Sequence, residues 1–420
     1  MSDGRVDDAR TVLDEVWRAG AAGMLGVLAR RLGDLDRAEE ALQDAVAEAL
    51  NRWPGDGVPE NPAGWLVTTA WRKAVDRLRR EVTGRDKLAA LASAPPPEPT
   101  GDDRLALIFA CCHPALAEPA QLALTLNAVA GLPAETIAAA FLLPATTMAQ
   151  RLTRAKRRLR DRGVRFEPPP PQEYAARLPA VLAVVYLIYN EGYLASSRDA
   201  HERRDLAREG LDLARQLSVL MPAEPEVAGL VALLELHEAR SSTRFDAEGR
   251  LVLLEHQDRS RWDQTLINTA VRRLARAAGH DQPGPYQLEA AIAAQHAAAP
   301  SYERTDWVAL RQLYDHLRIM RPSPVVLLGR AVATSYADGP AAALAEVDDL
   351  ADRLAGYRLW HATRADLLSR LGREPEAIEA TRRALALATN PAERELLARR
   401  LDALVTTPRS GEPRSGPRPR

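Results

Sequence analysis

Apolar residues recur at helical spacing along nearly the whole of this 420-residue chain, and the alternating pattern of a half-buried strand is almost absent. Val67, Trp71, Ala74 and Leu78 fall at i, i+4, i+7 and i+11, as do Met148, Leu152, Ala155 and Leu159. An all-α chain is therefore expected, and proline divides it. Pro95, Pro96, Pro97 and Pro99 lie among small polar residues in 83–101, where no helix can persist. The run Pro168 to Pro171 makes an extended, stiff spacer. The tail, 406–420, repeats proline, glycine, serine and arginine and is expected to be disordered. Folded blocks are thus expected at 8–82, 102–166 and 172–405, the first two joined by a flexible linker, 83–101.

Fifty-six Lys+Arg against 57 Asp+Glu leave a net charge of −1, so any polyanion partner must be met by local patches. The two cysteines, Cys111 and Cys112, are adjacent, which excludes a disulfide framework and lacks the spacing of a metal knuckle. The opening, Met1 to Arg10, is polar and acidic and does not read as a signal peptide. Leu178 to Tyr189 is the longest apolar stretch. It is short of the roughly 20 residues a bilayer requires. A cytoplasmic protein without membrane contact is expected.

Three segments carry chemistry. In 36–50, Ala38, Leu42, Ala45 and Ala49 form an apolar stripe, while Asp36, Glu39, Glu40, Asp44 and Glu48 load the rest with acid. Such a face is either solvated or a dock for a basic partner helix. In 61–80, Asn61-Pro62 opens a helix whose core stripe is Val67, Trp71, Ala74 and Leu78. Another face shows Trp65, Thr69, Arg72, Asp76 and Arg80, with Lys73 and Arg77 beside it. Guanidinium reaches phosphate and an indole can stack on an exposed base, so this mixture suits nucleic acid. Asp76 is expected to pair with Arg72 or Arg80. In 131–165, a short helix (ETIAAAFLL) stops at Pro144 and a second follows, with Thr146 expected as its N-cap. Thr147, Arg151, Arg154 and Arg158 repeat on one side of it, with Gln150 nearby. Two helices, a tight turn and a basic second helix are the layout of a DNA-reading helix-turn-helix.

Taken in order, these segments resemble a bacterial RNA polymerase sigma factor. The compact layout, without a middle domain, resembles the extracytoplasmic-function (ECF) class of the sigma-70 family. The strings that carry the likeness are RAEEALQDA (37–45), NPAGWLVTTAWRKAVDRLRR (61–80) and LPAETIAAAFLLPATTMAQRLTRAKRRLR (132–160). It extends to LIFACCHPAL (107–116), YLIYNEGY (186–193) and HQDRSRWD (256–263), which resemble the subfamily with a tetratricopeptide-like C-terminal extension. The resemblance implies two small helical sigma domains, region 2 in 8–82 and region 4 in 102–166, followed by a helical-repeat regulatory domain in 172–405. It implies that Glu39, Glu40, Gln43 and Asp44 meet the clamp coiled coil of core RNA polymerase. It places Asn61, Trp65, Arg72, Lys73, Arg77 and Arg80 on the −10 element of promoter DNA. Thr146, Thr147, Gln150, Arg151 and Arg154 would read the −35 element. The stretch between Trp53 and Asn61 is Gly- and Pro-rich and departs from the loop that receives a flipped base in better-known members.

The implied function is promoter-specific transcription initiation, modulated in cis by the C-terminal domain, with no enzymatic step, metal or cofactor. The resemblance also implies a small YCII-related protein as a candidate partner, by association only. The extension itself lacks a chemical signature. His237 with Glu235 and Glu238, and His256 with Glu255, do not form the i, i+4 histidine pair of a zinc helix. Asn190, Glu191, Tyr193, Gln257, Asp258, Arg259 and Trp262 suit either a packing network or a ligand groove. Two echoing stretches, 340–350 and 375–385, lie 35 residues apart, close to the period of stacked helix pairs. The alternative is a stand-alone helix-turn-helix regulator with a tetratricopeptide-like sensor domain. An enzyme in the C-terminal helices has only scattered His and Glu in its favour.

Overall fold

The apolar stripes become the inner faces of helices. A computed structural model describes residues 3–81, 102–141, 143–193 and 200–406; the 83–101 linker and the tail from 407 lie outside the described residues. Among the described residues there is no strand beyond one isolated antiparallel bridge, Phe245 to Leu251, so the fold is all-α. The chain forms two compact units, Met1–Gly192 with Asp205–Leu217, and Tyr193–Arg204 with Ser218–Arg420.

The first unit begins with α1 (Asp3–Leu32), α2 (Leu35–Asp56) and α3 (Pro62–Glu81), packed pairwise. Gly33, at φ +68°, ends α1 in a conformation that side chains disfavour. Asp34 then caps α2 by accepting from the Arg37 amide at 3.2 Å. Ala38, Leu42, Ala45 and Ala49 are buried along α2, and Val67, Trp71 and Ala74 along α3. Next come α4 (Asp102–Cys111), α5 (Glu118–Ala128), α6 (Ala134–Ala140) and α7 (Ala145–Asp161). Helix α4 meets α1 backbone to backbone: a Cβ at Gly26 would lie 2.4 Å from the Asp103 carbonyl oxygen. Arg30 ties the same crossing to buried Asp103 at 3.1 Å. The Gln121 amide donates to the carbonyls of Cys112, His113 and Leu116 at 3.0–3.2 Å, which fixes the turn between α4 and α5.

The unit runs on past the proline spacer. Helix α8 (Tyr174–Tyr193) stacks Tyr174 on Phe109 at 5.7 Å, and buried Arg177 donates to the Phe109 carbonyl at 3.3 Å. In α9 (Ala200–Leu220), a Cβ at Gly210 would meet the Tyr189 backbone at 2.7 Å.

The second unit is a succession of helices: α10 (Pro225–Glu238), α11 (Gln264–Ala278), α12 (Pro285–Ala298), α13 (Trp307–Met320), α14 (Pro324–Ala337), α15 (Pro340–Asp348), α16 (Ala351–Leu354), α17 (Arg358–Arg370), α18 (Glu374–Leu387) and α19 (Pro391–Thr406). The pairs α14/α15 and α17/α18 start at 324/340 and 358/374, so each element recurs after 34 residues. The echoing stretches thus begin equivalent helices, and Val347, Trp360, Leu368 and Ala377 join one core.

Between α10 and α11 the polar motif acts as a clasp. Trp262 Nε1 donates to Thr243 Oγ1 at 2.9 Å, and Gln257 Nε2 donates to the Val252 carbonyl at 3.1 Å. Asp258 caps the turn at Ser260. Arg259 lies over the Trp262 ring at 4.7 Å and donates to the carbonyls of His296 and of Ala299, the latter at 2.9 Å. These contacts tie the motif to its own surroundings, as a packing network does, although one Arg259 Nη stays buried without a partner. The side chains of Glu191 and Tyr193 lie outside the described residues.

Candidate functional site

Helix α2 carries its acids as two strips. With 3.6 residues per turn, Asp36, Glu39 and Gln43 share one side, and Glu40, Asp44 and Glu48 the next. Neither strip of carboxylates stands alone. Glu40 and Asp44 both bind the Arg77 guanidinium, Asp44 at 2.7 Å, and Glu48 binds Lys73 at 2.6 Å. That hydrogen bond from Lys73 lowers the half-buried Glu48 carboxyl below the ordinary range. Glu39 instead binds the Lys156 ammonium of α7, and Arg160 reaches Asp34 at 3.5 Å and Asp36 at 3.4 Å. Burial pushes the Glu39 carboxyl up, outweighing the pull of Lys156. Gln43 is exposed. A cavity of about 590 Å³ between α2, α3 and α7 is lined by Asp36, Glu39, Glu40, Lys73, Arg77 and Arg160.

On α3, the expected nucleic-acid residues separate. Asn61 serves as a cap, its side-chain oxygen accepting from the Gly64 amide at 2.9 Å. Trp65 is half-buried, edge-on to Trp53 with ring centroids 5.5 Å apart. Arg72 is exposed; Arg80 is exposed and donates to the Asp76 carbonyl at 3.2 Å. Lys73 and Arg77 point instead to the acids of α2, because α3 packs along that helix. The six residues therefore do not form one free surface. Asp76 also differs from expectation: its carboxylate pairs with Arg79, one turn on, at 3.3 Å.

Helix α7 has three sides. Met148, Leu152, Ala155 and Leu159 are buried. Thr147, Arg151, Arg154 and Arg158 line a shallow groove of about 410 Å³, whose far wall is Leu116, Ala117 and Ala120. Arg154 and Gln150 are exposed; Arg151 is half-buried, 5.9 Å from the Phe141 ring. A row of guanidiniums beside a groove can accept phosphate or a base edge. The third side, Lys156 and Arg160, faces α2. Thr146 is exposed but does not cap the helix. Pro144 occupies the cap position without a side-chain bond, because α7 starts two residues earlier than expected.

Sequence reasoning missed Lys156 and Arg160, which lie i, i+4 on the side opposite the arginine row. Cys111 and Cys112 are fully buried, and burial raises both thiols, Cys112 to about 12, which disfavours thiolate chemistry. In the second unit, Glu235 binds Arg273 at 3.2 Å, and His256 is exposed. Burial lowers His237 to about 3. No described helix is long and apolar enough to cross a membrane.

Residues 21–83, covering the C-terminal part of α1 with α2 and α3, match the family Sigma-70 region 2. Residues 177–278 match a family of unknown function, DUF6596. The chain is 44% identical over 396 residues to an uncharacterized protein of Rhizobium meliloti (strain 1021), covering 91% of this chain and 94% of that one. It is 26% identical over 156 residues to a probable ECF RNA polymerase sigma factor, SigI, in two strains of Mycobacterium tuberculosis, covering 34% of this chain and 53% of that protein. No solved structure matches. The chain belongs to the same full-length family as the Rhizobium protein, and within it residues 21–83 carry a Sigma-70 region 2 match, with a likeness to SigI over about a third of the chain.

Proposed function

We propose that this chain is an ECF-class sigma factor that docks on core RNA polymerase through α2 and directs promoter-specific initiation. The observation that carries the reading is the arginine-lined groove on α7, held in the same compact unit as a sigma region 2. Thr147, Gln150, Arg151 and Arg154, with Arg158 beside them, would read the −35 element in the major groove. Trp65, Arg72 and Arg80 would hold the opened −10 strand by stacking and phosphate contact. Glu39, Glu40, Gln43 and Asp44 would meet a basic helical surface of the polymerase. No catalytic step belongs to this reading.

The C-terminal unit, tetratricopeptide-like in its 34-residue helix pairs, would modulate initiation in cis. A small YCII-related protein is its candidate partner, supported by family association and checked by co-purification. The deciding experiment is retention of the full-length protein on immobilised core polymerase at low salt, followed by run-off transcription. Retention with promoter-dependent transcripts is expected. A protein that footprints DNA but never binds core polymerase would instead be a stand-alone helix-turn-helix regulator.

A further inference from the structure

We infer that α7 latches over the polymerase-docking face of α2, so that the free protein must release Lys156 and Arg160 before core polymerase can engage Glu39. This rests on the sigma-factor reading and concerns the regulation of its docking face. The contact is built. Lys156 has a side chain only 11% exposed, binds Glu39 and lies 3.9 Å from Asp36. Arg160, one turn on, spans Asp34 and Asp36 at 3.5 and 3.4 Å. Together the two cations engage Asp36 and Glu39 on the side of α2 nearest α7, and the buried cap residue Asp34.

The geometry also separates latch from reader. At about 100° per residue, Lys156 and Arg160 stand roughly opposite Arg151, Arg154 and Arg158 on the helix. A closed protein thus leaves its DNA-reading row accessible while its docking acids are occupied by its own cations. A basic polymerase helix must offer its charge to Glu39, which Lys156 already holds, so the two are mutually exclusive at that carboxylate. Docking then selects the open form, and apparent affinity falls by the fraction open. Opening would free region 4 from region 2, as engagement of two separated promoter elements requires.

The test compares full-length wild type with Lys156→Gln/Arg160→Gln, and with Lys156→Arg as the charge-keeping control. Spin labels at Ala47→Cys and Arg157→Cys report the separation of α2 and α7; the native cysteines are buried and stay unlabelled. Wild type and Lys156→Arg should show one short separation, which lengthens in the double variant and on adding core polymerase. Affinity of the double variant for core polymerase should rise about three- to tenfold, the range expected when a few partly buried ion pairs hold a closed form. Unchanged label separation in the double variant overturns the latch. So does a lengthened separation with unchanged or weaker affinity, while measurable core binding leaves the sigma-factor reading standing. No core binding by any of the proteins sinks both.

Discussion

Helices α3 and α7 are both basic amphipathic helices, yet they use their cations differently. From Arg72 to Arg80, α3 offers five cations against one acid, but Lys73 and Arg77 are committed to α2 and Arg79 to Asp76. Arg72 and Arg80 remain exposed. In α7, three functions are sorted by angle: a buried apolar side, a cationic side against α2, and an arginine row along an open groove. Charge count is therefore a poor measure of a nucleic-acid surface. What matters is whether a neighbouring helix presents carboxylates within reach, and α2 presents them to both.

The largest effect should come from Arg151→Glu with Arg154→Glu. Transcription from the cognate promoter should fall by roughly 30-fold or more, given about 1–3 kcal/mol per bidentate base contact, while core retention is unchanged. An equal loss from Lys73→Ala with Arg77→Ala would erase the contrast between the helices. Next, Arg72→Ala with Arg80→Ala should lower the salt dependence of binding to −10 single strand by about 1.4 in log–log slope, at about 0.7 per phosphate contact. The Lys73/Arg77 pair should leave that slope unaltered. Third, Arg77→Ala should reduce the first unit's melting temperature by about 1–4 °C, since exposed ion pairs contribute up to about 1 kcal/mol. Arg72→Ala should not shift it.

The smallest effect separates the two acidic strips by pH. Glu48, lowered by the bond from Lys73, favours the folded state above the ordinary carboxylate range and loses that contribution as pH falls below it. Glu39, raised by burial, holds its proton more tightly folded than unfolded, so its contribution declines as pH rises above that range. Carboxyl-carbon NMR should show Glu39 titrating above Glu48; the reverse order would place the buried strip on the α3 side.

The helices were legible because burial has a period. Every residue of the Met148–Leu159 stripe is buried, as are Val67, Trp71 and Ala74. Asn61 was legible as a helix start because Asn-Pro has a local meaning, and it caps α3 through the Gly64 amide. The pairing of cations was not legible. Lys156 finds Glu39 117 residues away, and Arg77 finds Asp44 33 residues away, contacts no local pattern encodes. Thr146 failed as a cap because side-chain preference named a good capping residue, whereas the backbone turns at Pro144. Asp76 paired with Arg79 rather than Arg72 or Arg80 because all three are one turn away and only packing distinguishes them.

The backbone-to-backbone crossing at Gly26 sets how far α4 and the helices after it can sit from α1 within the first unit. A methyl group there would push Asp103 outward and, with it, the whole of α4. One missing carbon atom thus works as a spacer gauge: the reach of Lys156 and Arg160 to α2 depends on a position that touches neither residue.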